Sequence, residues 1–86
     1  MDLRDLKYFV AIADQEHFAR ASKPLRIAQP APSRRMKSLE REIGGDLFER
    51  LPRGVRLSRL GQFFLKDAKW IVAEANLILA ALWDSL

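Results

Sequence analysis

Cysteine is missing from all 86 residues, so neither a disulfide framework nor a thiolate metal site can organise this chain, and a reducing cytoplasm fits that usage. The single histidine, His17, has no partner set for a metal site or a Ser-His-Asp relay. Serines stand without a base at recognisable spacing, carboxylates are scattered over helix faces, and no glycine-rich phosphate loop occurs. No enzyme, metal or cofactor is expected. Long apolar runs are also absent. Glu74 and Asn76 interrupt the most hydrophobic segment, and the uninterrupted piece from Leu77 to Trp83 is far too short to span a bilayer. No secretory signal is visible, because Asp2, Arg4, Asp5 and Lys7 break up the N-terminus.

What remains is one small domain with an uneven charge. Its size is near the limit at which further support, such as oligomerisation, helps a modest core. The net charge is +4, but from Arg20 to Arg59 there are 11 Lys and Arg against 4 Asp and Glu, a surplus of +7, with −2 before that segment and −1 after it. All of the positive excess therefore sits in the middle. A basic segment can be only a solvated surface. Here it coincides with the polar side of a helix and with a following hairpin, which favours nucleic acid.

The segment from Phe18 to Glu40 reads as two helices joined by a tight turn. Phe18, Ala21 and Leu25 are spaced by three and then four, and Leu25 to Ala28 form the link. In the next helix Pro32, Leu39 and Ile43 fall beside Met36, while Pro30, Arg34, Lys37 and Arg41 lie opposite. One side suits a core and the other an anion. This is the pattern of a helix-turn-helix, whose second helix enters the DNA major groove.

The runs FARAS, Leu25, IAQPAPSR and then LE at 39 and 40 resemble the signature of LysR-type transcriptional regulators, and the similarity extends from Leu3 to about Leu65. The resemblance implies a mainly α fold, a winged helix-turn-helix with a three-helix core and a two-stranded wing, followed by a long C-terminal linker and dimerisation helix. Residues 1–58 would form the DNA-binding domain and residues 59–86 the linker helix. It further implies sequence-specific binding of double-stranded DNA by a bacterial, cytoplasmic, nucleoid-associated homodimer at an inverted-repeat operator. Any small-molecule inducer would act through an effector domain that is not in this chain. At the matching positions Gln29, Pro30, Ser33 and Arg34 would lie nearest the bases. Their chemistry agrees: Gln29 can pair with adenine, Arg34 with guanine, Ser33 can meet a base or a phosphate, and Pro30 can touch a thymine methyl. Arg35, Lys37 and Arg50 are expected beside phosphates, which position without specifying.

Along the chain, a first helix is expected between Met1 and Glu16, capped by Asp2, with Leu3, Leu6, Val10 and Ala13 facing inward and Phe9 and Ile12 widening that stripe. His17 reads as a helix-start residue where the family usually has a small polar cap. Pro24 departs from the family pattern, so the second helix either stops about a residue early or bends there. The third helix starts at Ala28 or Gln29, with Pro30 and Pro32 in its first turn, and Gly44 and Gly45 end it near Ile43. Ala28 replaces the family's Ser or Thr cap, at a cost of ~1 kcal/mol.

Leu47 to Arg50 and Val55 to Leu57 are β-prone and flank Leu51, Pro52, Arg53 and Gly54, which predicts a two-stranded wing. Arg53 would project from its tip, suited to a narrow minor groove. Ser58 caps a last helix from Arg59 to near the end. Phe64, Ala68, Ile71, Ala75, Ile78 and Leu82 alternate steps of four and three, the seam of a coiled-coil contact with a second copy. Leu65, Val72, Leu79 and Leu86 run beside it, and Trp70 and Trp83 read as packing residues off the seam. The alternative function is a winged protein-interaction module for an acidic partner. RNA binding lacks the aromatic platform that stacks single-stranded bases.

Overall fold

The computed structural model describes residues 1–16 and 31–86. In chain order the elements are α1 (Leu3–Gln15), α2 (Ala31–Ile43), β1 (Phe48–Leu51), β2 (Gly54–Leu57) and α3 (Arg59–Ser85). The expected second helix, with His17 and Pro24, lies outside the described residues, as do Ala28, Gln29, Pro30 and the start of the third helix.

α1 begins at a reciprocal cap. The Asp2 carboxylate accepts the backbone N–H of Asp5 at 3.0 Å, and the Asp5 carboxylate accepts that of Asp2 at 2.9 Å. Its buried residues are Leu6, Phe9 and Ile12, whereas Leu3 is exposed and Val10 and Ala13 are only partly buried. The stripe is therefore rotated from the one expected, towards Phe9. The reason is packing: the fully buried Phe9 ring meets Phe48 of β1 at 5.3 Å and Phe64 of α3 at 5.0 Å between centroids. One aromatic side chain thus ties the helix to the wing and to the last helix.

Pro32, Met36 and Leu39 form the buried side of α2. Ile43, expected beside Met36, is 41% exposed because the chain turns away immediately after it. The turn takes the form expected of the two glycines: Gly44 adopts φ 89°, and the N–H groups of Gly44 and Gly45 both reach the carbonyl of Glu40, at 2.8 and 3.2 Å.

β1 and β2 pair antiparallel in the register Phe48↔Leu57, Glu49↔Arg56, Arg50↔Val55 and Leu51↔Gly54. β1 is shifted by one residue from its expected limits, whereas β2 begins one residue earlier than expected and ends at Leu57 as expected. Pro52 and Arg53 make the turn, and Gly54 at φ 106° takes a backbone conformation that a side chain would strain. An isolated hairpin is marginal. This one is held by burial of Leu47, Phe48 and Val55, and by the Val55 N–H donating to the Glu16 carbonyl at the end of α1, at 2.9 Å.

α3 is capped as expected. Ser58 Oγ accepts the Gly61 N–H at 3.0 Å and donates to the Asp46 carbonyl at 2.6 Å. Among the described residues, its first half meets the core, through Gly61, Phe64, Leu65, Ala68 and Val72. At 27 residues it is ~40 Å long, so its second half projects beyond the core.

Candidate nucleic-acid interface

The outer side of α2 carries Arg34, Lys37 and Arg41, all exposed. Arg53, also exposed, sits in the turn of the wing. Among the described residues no carboxylate pairs with any of these four. Ser33 is half-buried, one turn before Lys37. Gln29 and Pro30 lie outside the described residues. The described part of the site is thus a cationic ridge along one helix with a further arginine on the adjoining hairpin.

Two of the expected phosphate neighbours have work within the chain. Arg35 turns back to α1: its Nε donates to Asp5 Oδ1 at 2.6 Å, its Nη2 reaches both Asp2 carboxylate oxygens at 3.1 and 3.2 Å, and its guanidinium lies 5.3 Å from the Tyr8 ring centroid. Arg35 sits 100° from Met36 on the helix wheel, close enough to the α1 interface for a long side chain to reach it. It joins two helices and is not on the ridge. Arg50 reaches Glu40 of α2, with Nη2 at 3.0 Å from Oε1 and Nη1 at 3.3 Å from Oε2. Lys37 alone of the three expected phosphate neighbours remains open on the ridge.

Accepting the Asp5 backbone N–H holds the Asp2 carboxyl below its ordinary value, and the Arg35 guanidinium adds in the same direction while desolvation opposes it. The cap of α1 and the anchor of α2 are therefore one charged cluster.

Sequence reasoning missed Glu40. It is the buried charged residue among the described ones, and besides Arg50 it accepts the N–H groups of Leu47 and Phe48 at 2.6 and 3.2 Å. The signal was present: 40° from Met36, Glu40 falls on the core-facing arc of an amphipathic helix, where a carboxylate needs partners.

The residues of α3 expected to form a pairing seam differ in exposure. Ala68 is fully buried in the chain's own core, and Phe64 is partly buried where it packs against Phe9. Ile71, Ile78 and Leu82 remain exposed and Ala75 is half-buried. Trp70 and Trp83, read as packing residues, are about two-thirds exposed and face away from the core. Among the described residues no helix is long and apolar enough to cross a membrane, and no cluster of His, Cys, Asp or Glu could hold a metal.

A mainly helical chain with a two-stranded antiparallel wing beside an exposed basic helix defines a winged helix-turn-helix domain. Residues 3–62 match the family model of bacterial regulatory helix-turn-helix proteins of the lysR family, and the chain belongs to that family. It is 50% identical over 76 residues to the HTH-type transcriptional regulator BudR of Klebsiella aerogenes, covering 88% of this chain and 53% of that protein. It is 47% identical over 73 residues to TfdT of Cupriavidus pinatubonensis, covering 85% of this chain and 32% of the relative. The chain therefore spans about half or less of the length of these relatives. Among solved structures, the DNA-binding domain of CbnR in complex with DNA is 38% identical with a TM-score of 0.87, over 99% of this chain and 98% of that one. The DNA-binding domain of BenM with catB site 1 DNA is 36% identical with a TM-score of 0.90, over 98% and 94%.

Proposed function

We propose that this domain binds double-stranded DNA sequence-specifically and serves as the DNA-binding part of a transcriptional regulator. The observation that carries the reading is the exposed row of Arg34, Lys37 and Arg41 on α2, without carboxylate partners among the described residues, while neighbouring Arg35 and Arg50 are paired. α2 lies in the major groove with Ser33 and Arg34, and with Gln29 and Pro30 of the preceding residues, nearest the bases. Lys37 neutralises a phosphate and Arg53 enters the flanking minor groove. The relatives seen in complex with DNA support the binding of double-stranded DNA.

Two copies pair through the exposed half of α3, along Ile71, Ala75, Ile78 and Leu82, and so present two recognition helices to an inverted repeat. That role belongs in the bacterial cytoplasm, at the nucleoid. The relatives are named as regulators, and no catalytic step is part of this reading. A response to a small-molecule inducer is assigned to chain beyond this domain.

Selection of duplexes from a random pool, followed by gel-shift titration of the winners against mixed sequence, tests the proposal. A preferred sequence bound well above the mixture is expected. Equal affinity for both, or none for either with tight binding to an acidic protein, would replace it with the interaction-module reading.

A further inference from the structure

Glu40 is only 6% exposed, and everything it accepts comes from the chain that follows it. Its backbone carbonyl takes the N–H groups of Gly44 and Gly45, and its Oε2 takes those of Leu47 and Phe48. The guanidinium of Arg50 then closes over both carboxylate oxygens, and its Nη1 also lies 3.3 Å from the Phe48 carbonyl. Four backbone donors and one side chain converge on a single residue of α2.

Stability alone gives a weak reason for such an arrangement. A buried ion pair contributes little against an apolar pair of the same volume, because desolvation offsets the attraction. A planar fork on a carboxylate fixes direction as well as distance, however. The direction fixed here is that in which β1 leaves α2. Arg50 pairs with Val55 and Leu51 with Gly54, so the two-residue turn that carries Arg53 follows rigidly from the position of Arg50.

We infer that Glu40 and Arg50 are positioning residues for DNA recognition: together they hold the wing at one angle to α2, so that Arg53 meets the duplex while α2 occupies the groove. The inference rests on the DNA-binding reading and deepens it. Arg50 acts through Glu40, not through a phosphate of its own.

The test is a mutant cycle read on a duplex that the unmodified chain selects from a random pool, with thermal melting alongside to establish folding. Arg53→Ala costs about tenfold in affinity in the unmodified chain and under about twofold in the Glu40→Gln or Arg50→Met background, where the tip is already displaced. Arg34→Ala keeps its full cost in all three. Glu40→Gln weakens binding even though it removes a negative charge near the DNA. Tighter binding by Glu40→Gln would mean that the carboxylate merely restrains Arg50 from the phosphates, and the proposal fails. It fails equally if the cycle is additive, and a salt slope lowered by about one in Arg50→Met would then mark a lost phosphate contact.

Arg50→Lys keeps the charge without the fork. It behaves like Arg50→Met if geometry governs and like the unmodified chain if charge does, and it carries the comparison should the other variants melt below the assay temperature. A chain that selects no duplex fails the DNA-binding reading and this inference with it; selection with an additive cycle fails the inference alone.

Discussion

Gly61 of α3 lies so close to Leu47 that a Cβ added to it would stand 2.1 Å from the Leu47 carbonyl oxygen. The obstacle is backbone, which cannot rotate away, and that carbonyl already accepts the Ser58 N–H at 2.9 Å. Gly61→Ala is therefore expected to lower stability by at least about 2 kcal/mol, as overpacking against a fixed wall does. Urea unfolding checks this; an unchanged midpoint would mean that α3 can slide off the wing at no cost.

Arg34 and Arg35 are adjacent in sequence and divide their roles. Arg34→Ala should cost ~1 to 3 kcal/mol on the preferred duplex and flatten the preference at one base pair, with little change in melting. Arg35→Ala should instead lower stability by about 1 kcal/mol through loss of its partly exposed pairs with Asp5 and Asp2, leaving base preference intact. Calorimetric melting and selection on both variants decide the matter, and the reverse assignment of effects would show that the two faces had been exchanged.

Ile78→Asp combined with Leu82→Asp is expected to yield monomers in sedimentation without loss of the monomer's helical signal, since both side chains project beyond the core. Phe64→Ala, by contrast, should destabilise each copy by ~3 kcal/mol through a cavity beside Phe9. A double aspartate variant that still sediments as a dimer would place the contact elsewhere on α3.

Acid should weaken the α1 cap before it affects the apolar core. The folded-state value of the Asp2 carboxyl is depressed below its ordinary 3.8. Its contribution is therefore fully present above that value and is lost as pH falls through the folded one. Asp2→Asn retains a capping oxygen but cannot titrate, so its stability relative to the unmodified chain should rise between pH 5 and about pH 2. Urea midpoints across that range would show no convergence if the carboxylate contributes nothing.

Binding should weaken steeply with salt, because each phosphate neutralised releases counterions. A slope near zero in a gel-shift series would contradict the role given to the ridge on α2.

How far the fold could be read depended on whether a residue answers to its neighbours in sequence or in space. The Asp2 cap, the Gly44 turn, the hairpin around Pro52 and Arg53, and the Ser58 cap are local chemistry, and each stands where expected. The cationic face of α2 follows from helical period alone. The period could not show which of two overlapping stripes on α3 the chain keeps for itself. Phe64 and Ala68 fit the pairing seam and the internal core equally well, and only the position of Phe9 decides. Arg35 and Arg50 were indistinguishable from Lys37 as surface cations, since their partners Asp5 and Glu40 are brought near by tertiary structure.

The hydrogen bond from Val55 to Glu16 has a consequence for how molecules of this protein meet. A bare two-stranded ribbon offers unpaired amides along its rims, an invitation to strand addition and to fibres. One rim here is occupied where the Val55 N–H meets the first helix, and the other where Glu40 takes the Phe48 N–H. With each rim blocked at a different point, self-association through the ribbon is disfavoured.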